Sequence, residues 1–90
     1  MTTMQDIIGY LAAILTTASF LPQAILTIKT KDTKSLSLSM YALFTLGVLF
    51  WLIYGLSIAD KAIIFANSIT LILAATILSI KIYNILCNKG

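Results

Sequence analysis

The sequence predicts an all-α integral membrane protein, a bundle of three transmembrane helices, and three observations carry that expectation. Of its 90 residues, 60% are hydrophobic and only 10% charged, and the mean hydropathy is +1.03, far from the usual makeup of soluble domains. Its charge-free apolar stretches are each long enough to cross about 30 Å of hydrocarbon at about 1.5 Å per helical residue. There are three of them, separated by the polar "KTKDTKSLS" and by the very short "ADK". The predicted spans cover about 7–28, 38–58 and 62–86, within one three-helix domain over 1–90.

The first span is read as a retained helix. Asp6 stands where a secretory signal would carry positive charge, and the apolar run is too long for a signal core. Inside it lies "FLPQAIL". Pro22 lacks the amide that would bond the carbonyl of Ala18, and its ring crowds that carbonyl, so the helix is expected to bend there. Gln23 adds an amide able to serve exposed backbone groups.

The second span begins after Ser35 or Ser37, either of which can act as its N-cap. Met40, Phe44, Gly47, Trp51, Tyr54 and Ile58 recur at spacings of three and four, so they form one stripe along the whole helix. Bulky apolar residues at one end, Trp51 further along and Tyr54 near the other end describe a pathway constricted on both sides of a site.

The third span carries Lys81 shortly before its end, with the apolar core expected to stop at Ile80 and the lysine to snorkel to the headgroups. The short "ADK" turn makes the second and third helices an antiparallel pair, while the longer first loop can join helices that are not adjacent.

Positive charge sets the orientation. Lys29, Lys31, Lys34, Lys81 and Lys89 fall on the side of the first loop and the C-terminus, and Lys61 alone on the other. The positive-inside rule therefore places the N-terminus outside and the C-terminus in the cytoplasm of a cell (plasma) membrane.

Composition narrows the function. No histidine and a single cysteine, Cys87, leave no metal-ligand set, no intrachain disulfide and no poised general base, so neither a cofactor nor an enzymatic activity is expected. The net charge of +3 is spread over loops and tail without a basic, aromatic-interleaved face, which argues against nucleic acid. No ionisable residue occupies the middle of a span: Asp6 and Asp60 sit at outer ends and Asp32 in the first loop. A proton- or ion-coupled carrier would place one there.

The polar groups that do lie at depth are uncharged. Counted inward from the outer ends, Trp51 is roughly 10 Å down and Asn67 roughly 8 Å, so they share a level. An indole face beside a carboxamide that both donates and accepts suits a neutral polyhydroxyl ring such as a sugar. Taken singly, Trp51 could belong to the interfacial belt and Asn67 could be glue between helices.

These residues resemble the SemiSWEETs, bacterial three-helix halves of the SWEET sugar transporters within the PQ-loop superfamily. The resemblance spans nearly the whole chain and rests on "FLPQAILTIKTKDTKSLSLSMYALF", "WLIYGL" and "ANSITLILA" in that order. It implies a helix order of 1-3-2 and a sugar site lined by Trp51 and Asn67 from two protomers. It further implies a hinge at Pro22 and Gln23, a cytoplasmic gate at Phe20, Met40 and Phe44, and an extracellular gate at Tyr54 and Asp60. An arginine found in some relatives between the last two positions is missing, and Ser57, Ile58 and Ala59 stand there instead. A charge-paired outer gate would need Lys61. Three helices cannot enclose a sugar-sized pathway by themselves, so a parallel homodimer in the bilayer is the minimal assembly. The expected function is passive, bidirectional sugar transport by alternating access. The alternatives are a non-transporting membrane assembly protein, or a PQ-loop carrier of another small solute.

Overall fold

The structure, a computed structural model, describes residues 3–88. Lys89, one of the five lysines behind the expected orientation, lies outside the described residues. Three helices follow one another: α1 (Met4–Thr30), α2 (Leu38–Ser57) and α3 (Lys61–Leu86), each long and apolar enough to cross a membrane. All three carry large apolar side chains on their exposed faces, among them Leu15 on α1, Leu43 on α2 and Ile72 on α3, as lipid-facing helices do.

The helix ends follow from capping chemistry. Thr3 and Asp6 form a reciprocal capping box, the Thr3 side chain accepting from Asp6 N–H and the Asp6 carboxylate from Thr3 N–H. That places the start of α1 ahead of its charge-free stretch. Ser37, the second of the two serines considered, caps α2 by accepting from the amide of Met40 at 3.2 Å.

Between α2 and α3 the chain turns through a Schellman motif: Asp60 N–H donates to the Gly55 carbonyl and Ala59 N–H to that of Leu56. Ala59 sits at its left-handed position, φ 55°. Asp60 then starts the next helix at once, its carboxylate accepting from Ile63 N–H at 3.1 Å.

α3 packs against both other helices, whereas the α1 and α2 backbones do not approach one another, giving the order 1-3-2. The tight turn demands the α2–α3 pairing, and Gly55 allows it. A Cβ built on Gly55 would lie 2.6 Å from Ile63 Cγ2, so only glycine permits this approach. The protomer measures 53 × 24 × 15 Å, a flattened cross-section.

The core lies toward the basic end, the end with the α1–α2 loop. Ala24, Tyr41, Ala74 and Ile77 are buried together, with Phe20, Ile28 and Leu36 packed around them. Of α1, only Ala24 and Thr27 are buried, both beyond Pro22. The stretch of α1 after Pro22 is thus the better packed one within a protomer, and the stretch before it the more open. α1 passes through Pro22 as one continuous helix, and the hydroxyl of Thr27 donates to the Gln23 carbonyl at 2.9 Å.

Lys81 departs from the expectation of snorkelling. It is 7% exposed and its Nζ donates to the Thr33 carbonyl at 2.8 Å. The α1–α2 loop folds back over the end of α3 and offers an acceptor nearer than the headgroups, so the ammonium turns inward.

Candidate functional site

Trp51 on α2 and Asn67 on α3 line one cavity of about 580 Å³, together with Gly9, Ala12, Ala13 and Thr16 of α1 and Asp60 at its rim. This lies within the usual size of a small-molecule site. The equal depths counted from sequence thus correspond to a shared wall, and α3's central position explains how: it sets Asn67 between α2 on one side and α1 on the other.

The Asn67 carboxamide donates through Nδ2 to the Ile63 carbonyl at 3.0 Å. This ties one of its two N–H donors to its own helix, and the carboxamide of this cavity-lining residue keeps a second N–H and Oδ1 for further bonds. Thr16, which sequence reasoning missed, behaves alike. Its hydroxyl proton goes to the Ala12 carbonyl at 2.9 Å, leaving lone pairs for a donor. The signal was present: Gly9, Ala12, Ala13 and Thr16 fall at i, i+3, i+4 and i+7 and form one small-residue face.

Trp51 is 56% exposed and Tyr54 50% exposed, with their rings edge to face at a centroid distance of 5.8 Å. With Gly47 and Phe50 they border a second cleft of about 460 Å³, so three members of the predicted stripe face one space. Tyr54 borders this cleft, whereas Asp60 lines the Trp51 and Asn67 cavity. Asp60 also caps α3 and joins Asp6 and Lys61 around a separate polar cleft at that end.

Toward the basic end, Phe20 and Phe44 meet with ring centroids 5.9 Å apart, and Tyr41 touches Phe44 at 6.0 Å. Met40, the third residue assigned to this gate, is exposed. Pro22 and Gln23 are exposed on α1, one turn beyond Phe20.

The chemistry of the main cavity is an indole face, the Asn67 carboxamide, the Thr16 hydroxyl and the Asp60 carboxylate. Such a lining accepts hydrogen bonds from a neutral, hydroxyl-rich molecule and offers no cation to an anionic one.

Comparison with known proteins supplies the family. Residues 4–60 match the model of the PQ loop repeat. A sugar transporter SemiSWEET of Leptospira biflexa is 47% identical over 79 residues, covering 88% of this chain and 93% of that protein. The chain belongs to the SemiSWEET family. A SemiSWEET of Escherichia coli is 45% identical over 76 residues, covering 84% of this chain and 85% of its own length. The crystal structure of a SemiSWEET in the inward-open conformation superposes with a TM-score of 0.84 at 41% identity, covering 91% of this chain and 95% of that one. A bacterial homologue of SWEET transporters gives a TM-score of 0.75 at 36% identity. This SemiSWEET therefore shares both the sequence pattern and the three-helix arrangement of proteins named as sugar transporters, and its three apolar helices make it a multi-pass membrane protein.

Proposed function

We propose that this SemiSWEET is a passive, bidirectional sugar transporter that works by alternating access at the axis of a parallel homodimer. The observation that carries the proposal is the cavity that Trp51 and Asn67 line together. A ring whose CH face stacks on indole and whose hydroxyls donate to Asn67 Oδ1 and Thr16 Oγ1 fits that lining.

The flattened protomer supports the dimer. Its cavities are open clefts bordered by one chain, and a second copy facing the first would close them into a pathway with two Trp51 and two Asn67. Gating then divides between the Phe20, Met40 and Phe44 group at the cytoplasmic end and Tyr54 with Asp60 at the extracellular end, with Pro22 and Gln23 as the bend. The lysines at the basic end favour a cytoplasmic position for that end and an N-terminus outside the plasma membrane. Asp60, the N-cap of α3, is the ionisable residue of the cavity lining, and none stands in the middle of a span, which favours uniport over coupling to protons.

The test is Trp51→Ala in purified, reconstituted protein. Sugar flux should vanish while the dimer persists on size-exclusion chromatography with light scattering. Loss of the dimer, or full flux, would point instead to Trp51 as an assembly residue or to another pathway.

A further inference from the structure

The basic end of the molecule contains a polar cluster that neither the sugar cavity nor the gates use. α1 ends at Lys31, whose left-handed φ of 57° turns the chain back across the end of α3. There Asn84 Nδ2 donates to the Lys31 carbonyl and to Thr33 Oγ1, both at 2.9 Å. Lys81 Nζ donates to the Thr33 carbonyl at 2.8 Å, which also accepts from Leu36 N–H at 3.0 Å. Thr33 is fully buried, and Lys81 and Asn84 are nearly so, at 7% and 6% exposed.

These contacts span long sequence separations and join the end of α3 to the C-cap of α1 and the loop that follows it. Other side-chain bonds in the bundle, such as those of Thr16, Thr70 and Thr76, return to a carbonyl one turn back and tie nothing together. Opening the cluster would strand an ammonium and a carboxamide in a buried place, which is costlier than never having made the bonds. The apolar core reinforces it, since Ala24 on α1 packs with Ala74 and Ile77 on α3 just inside the cluster. Before Pro22, by contrast, α1 contributes no buried residue.

We propose that Lys81 and Asn84 are positioning residues that clamp the last two turns of α1 and the following loop to the end of α3, so that these parts travel as one body. Bending at Pro22 then moves the stretch of α1 before the proline, which carries Thr16 and the wall of the cavity, relative to that body. The clamp rests on the transport reading for its purpose but not for its existence. It delivers the motion of the basic end to α3, and hence to Asn67, without any contact between Lys81 or Asn84 and the sugar.

The test measures distances within one protomer by pulsed dipolar spectroscopy, in reconstituted full-length protein diluted with unlabelled chains and carrying Cys87→Ser. One spin-label pair spans the clamp (Lys34→Cys with Asn88→Cys, both bordering the cleft beside it). The other spans the opposite end (Gln5→Cys with Lys61→Cys). The clamp pair should give a single narrow distance and the opposite pair a broader or two-component distribution. A clamp pair as broad as the other, with Lys81 and Asn84 intact, would overturn the proposal whatever the variants do. Lys81→Met with Asn84→Leu should broaden the clamp pair and lower maximal sugar flux several-fold while leaving sugar affinity near wild type. An unchanged narrow distance in that variant would also overturn it. Absence of sugar flux from the unlabelled wild type would count against the transport reading alone, because the distances are read without sugar.

Discussion

Gly55 and Ile63 face each other across the α2–α3 seam so closely that no side chain fits between them: a Cβ on Gly55 would lie 2.6 Å from Ile63 Cγ2 and 3.3 Å from the amide of Ile64. Ile63 is β-branched and stiff, and its carbonyl holds the Asn67 carboxamide. Gly55→Ala should therefore destabilise the protein by about 1–3 kcal/mol, the usual cost of overpacking. Because the strain reaches Asn67, sugar affinity should fall with it. Thermal unfolding in detergent reads the first effect and equilibrium sugar binding the second.

The turn next to that seam stores a small strain that substitution can release. Ala59 holds φ 55° at a position that glycine occupies at little steric cost. Ala59→Gly should stabilise by up to about 1 kcal/mol, and Ala59→Val should destabilise, since a β-branched residue tolerates this conformation poorly. A rise in melting temperature for the first and a fall for the second would show it.

Thr16 presents a hydroxyl oxygen to the cavity while its proton is spent on Ala12. Thr16→Val keeps the shape and removes the acceptor. One lost hydrogen bond of about 0.5–1.5 kcal/mol corresponds to roughly a two- to tenfold weaker sugar affinity. Thr16→Ser should retain most of the affinity, and titration of Trp51 fluorescence with sugar compares the three proteins.

Orientation can be read from the lone thiol. Cys87 is exposed at the end of α3, on the side assigned to the cytoplasm. In intact cells a membrane-impermeant maleimide should leave it unmodified, and permeabilisation should expose it. Labelling of intact cells would reverse the topology.

Much of the fold is legible in the sequence for simple physical reasons. Charge-free runs mark the spans because the bilayer excludes charge, and the pair Ser35 and Ser37 marks the start of α2 because a side-chain oxygen there satisfies an otherwise bare amide, as that of Ser37 does. The pairing of α2 with α3 follows from the shortness of the turn between them, whereas the central place of α3 is implied by the family resemblance and seen in its packing against both neighbours. The shared level of Trp51 and Asn67 is legible because helical rise converts position into height, while their shared wall comes from the packing of α3.

Lateral placement is less legible. Lys81 reads as a snorkelling residue because nothing in its own helix reveals that Thr33, on a distant loop, folds over it. For the same reason the better-packed stretch of α1 is not apparent: the partners of Ala24 lie on α2 and α3. Thr16 escapes notice because a small-residue face is quiet beside an aromatic stripe, and only the neighbouring helix turns it into a cavity wall.

The absence of charge at depth in the pathway has a direct consequence for energetics. A pH gradient imposed across proteoliposomes should neither speed equilibration of sugar nor raise its internal concentration above the external one. Accumulation that collapses with a protonophore would show coupling that the pathway's residues do not explain.

The central claim, that sugar crosses beside Trp51 and Asn67, is tested most directly by uptake of radiolabelled glucose and sucrose into proteoliposomes without any ion gradient, comparing wild type with Asn67→Ala. Saturable equilibration of at least one sugar by wild type, reduced to the protein-free background in the variant, is the result this account predicts. Equal uptake by the two proteins, or no uptake of any sugar by a well-folded wild-type dimer, would contradict it.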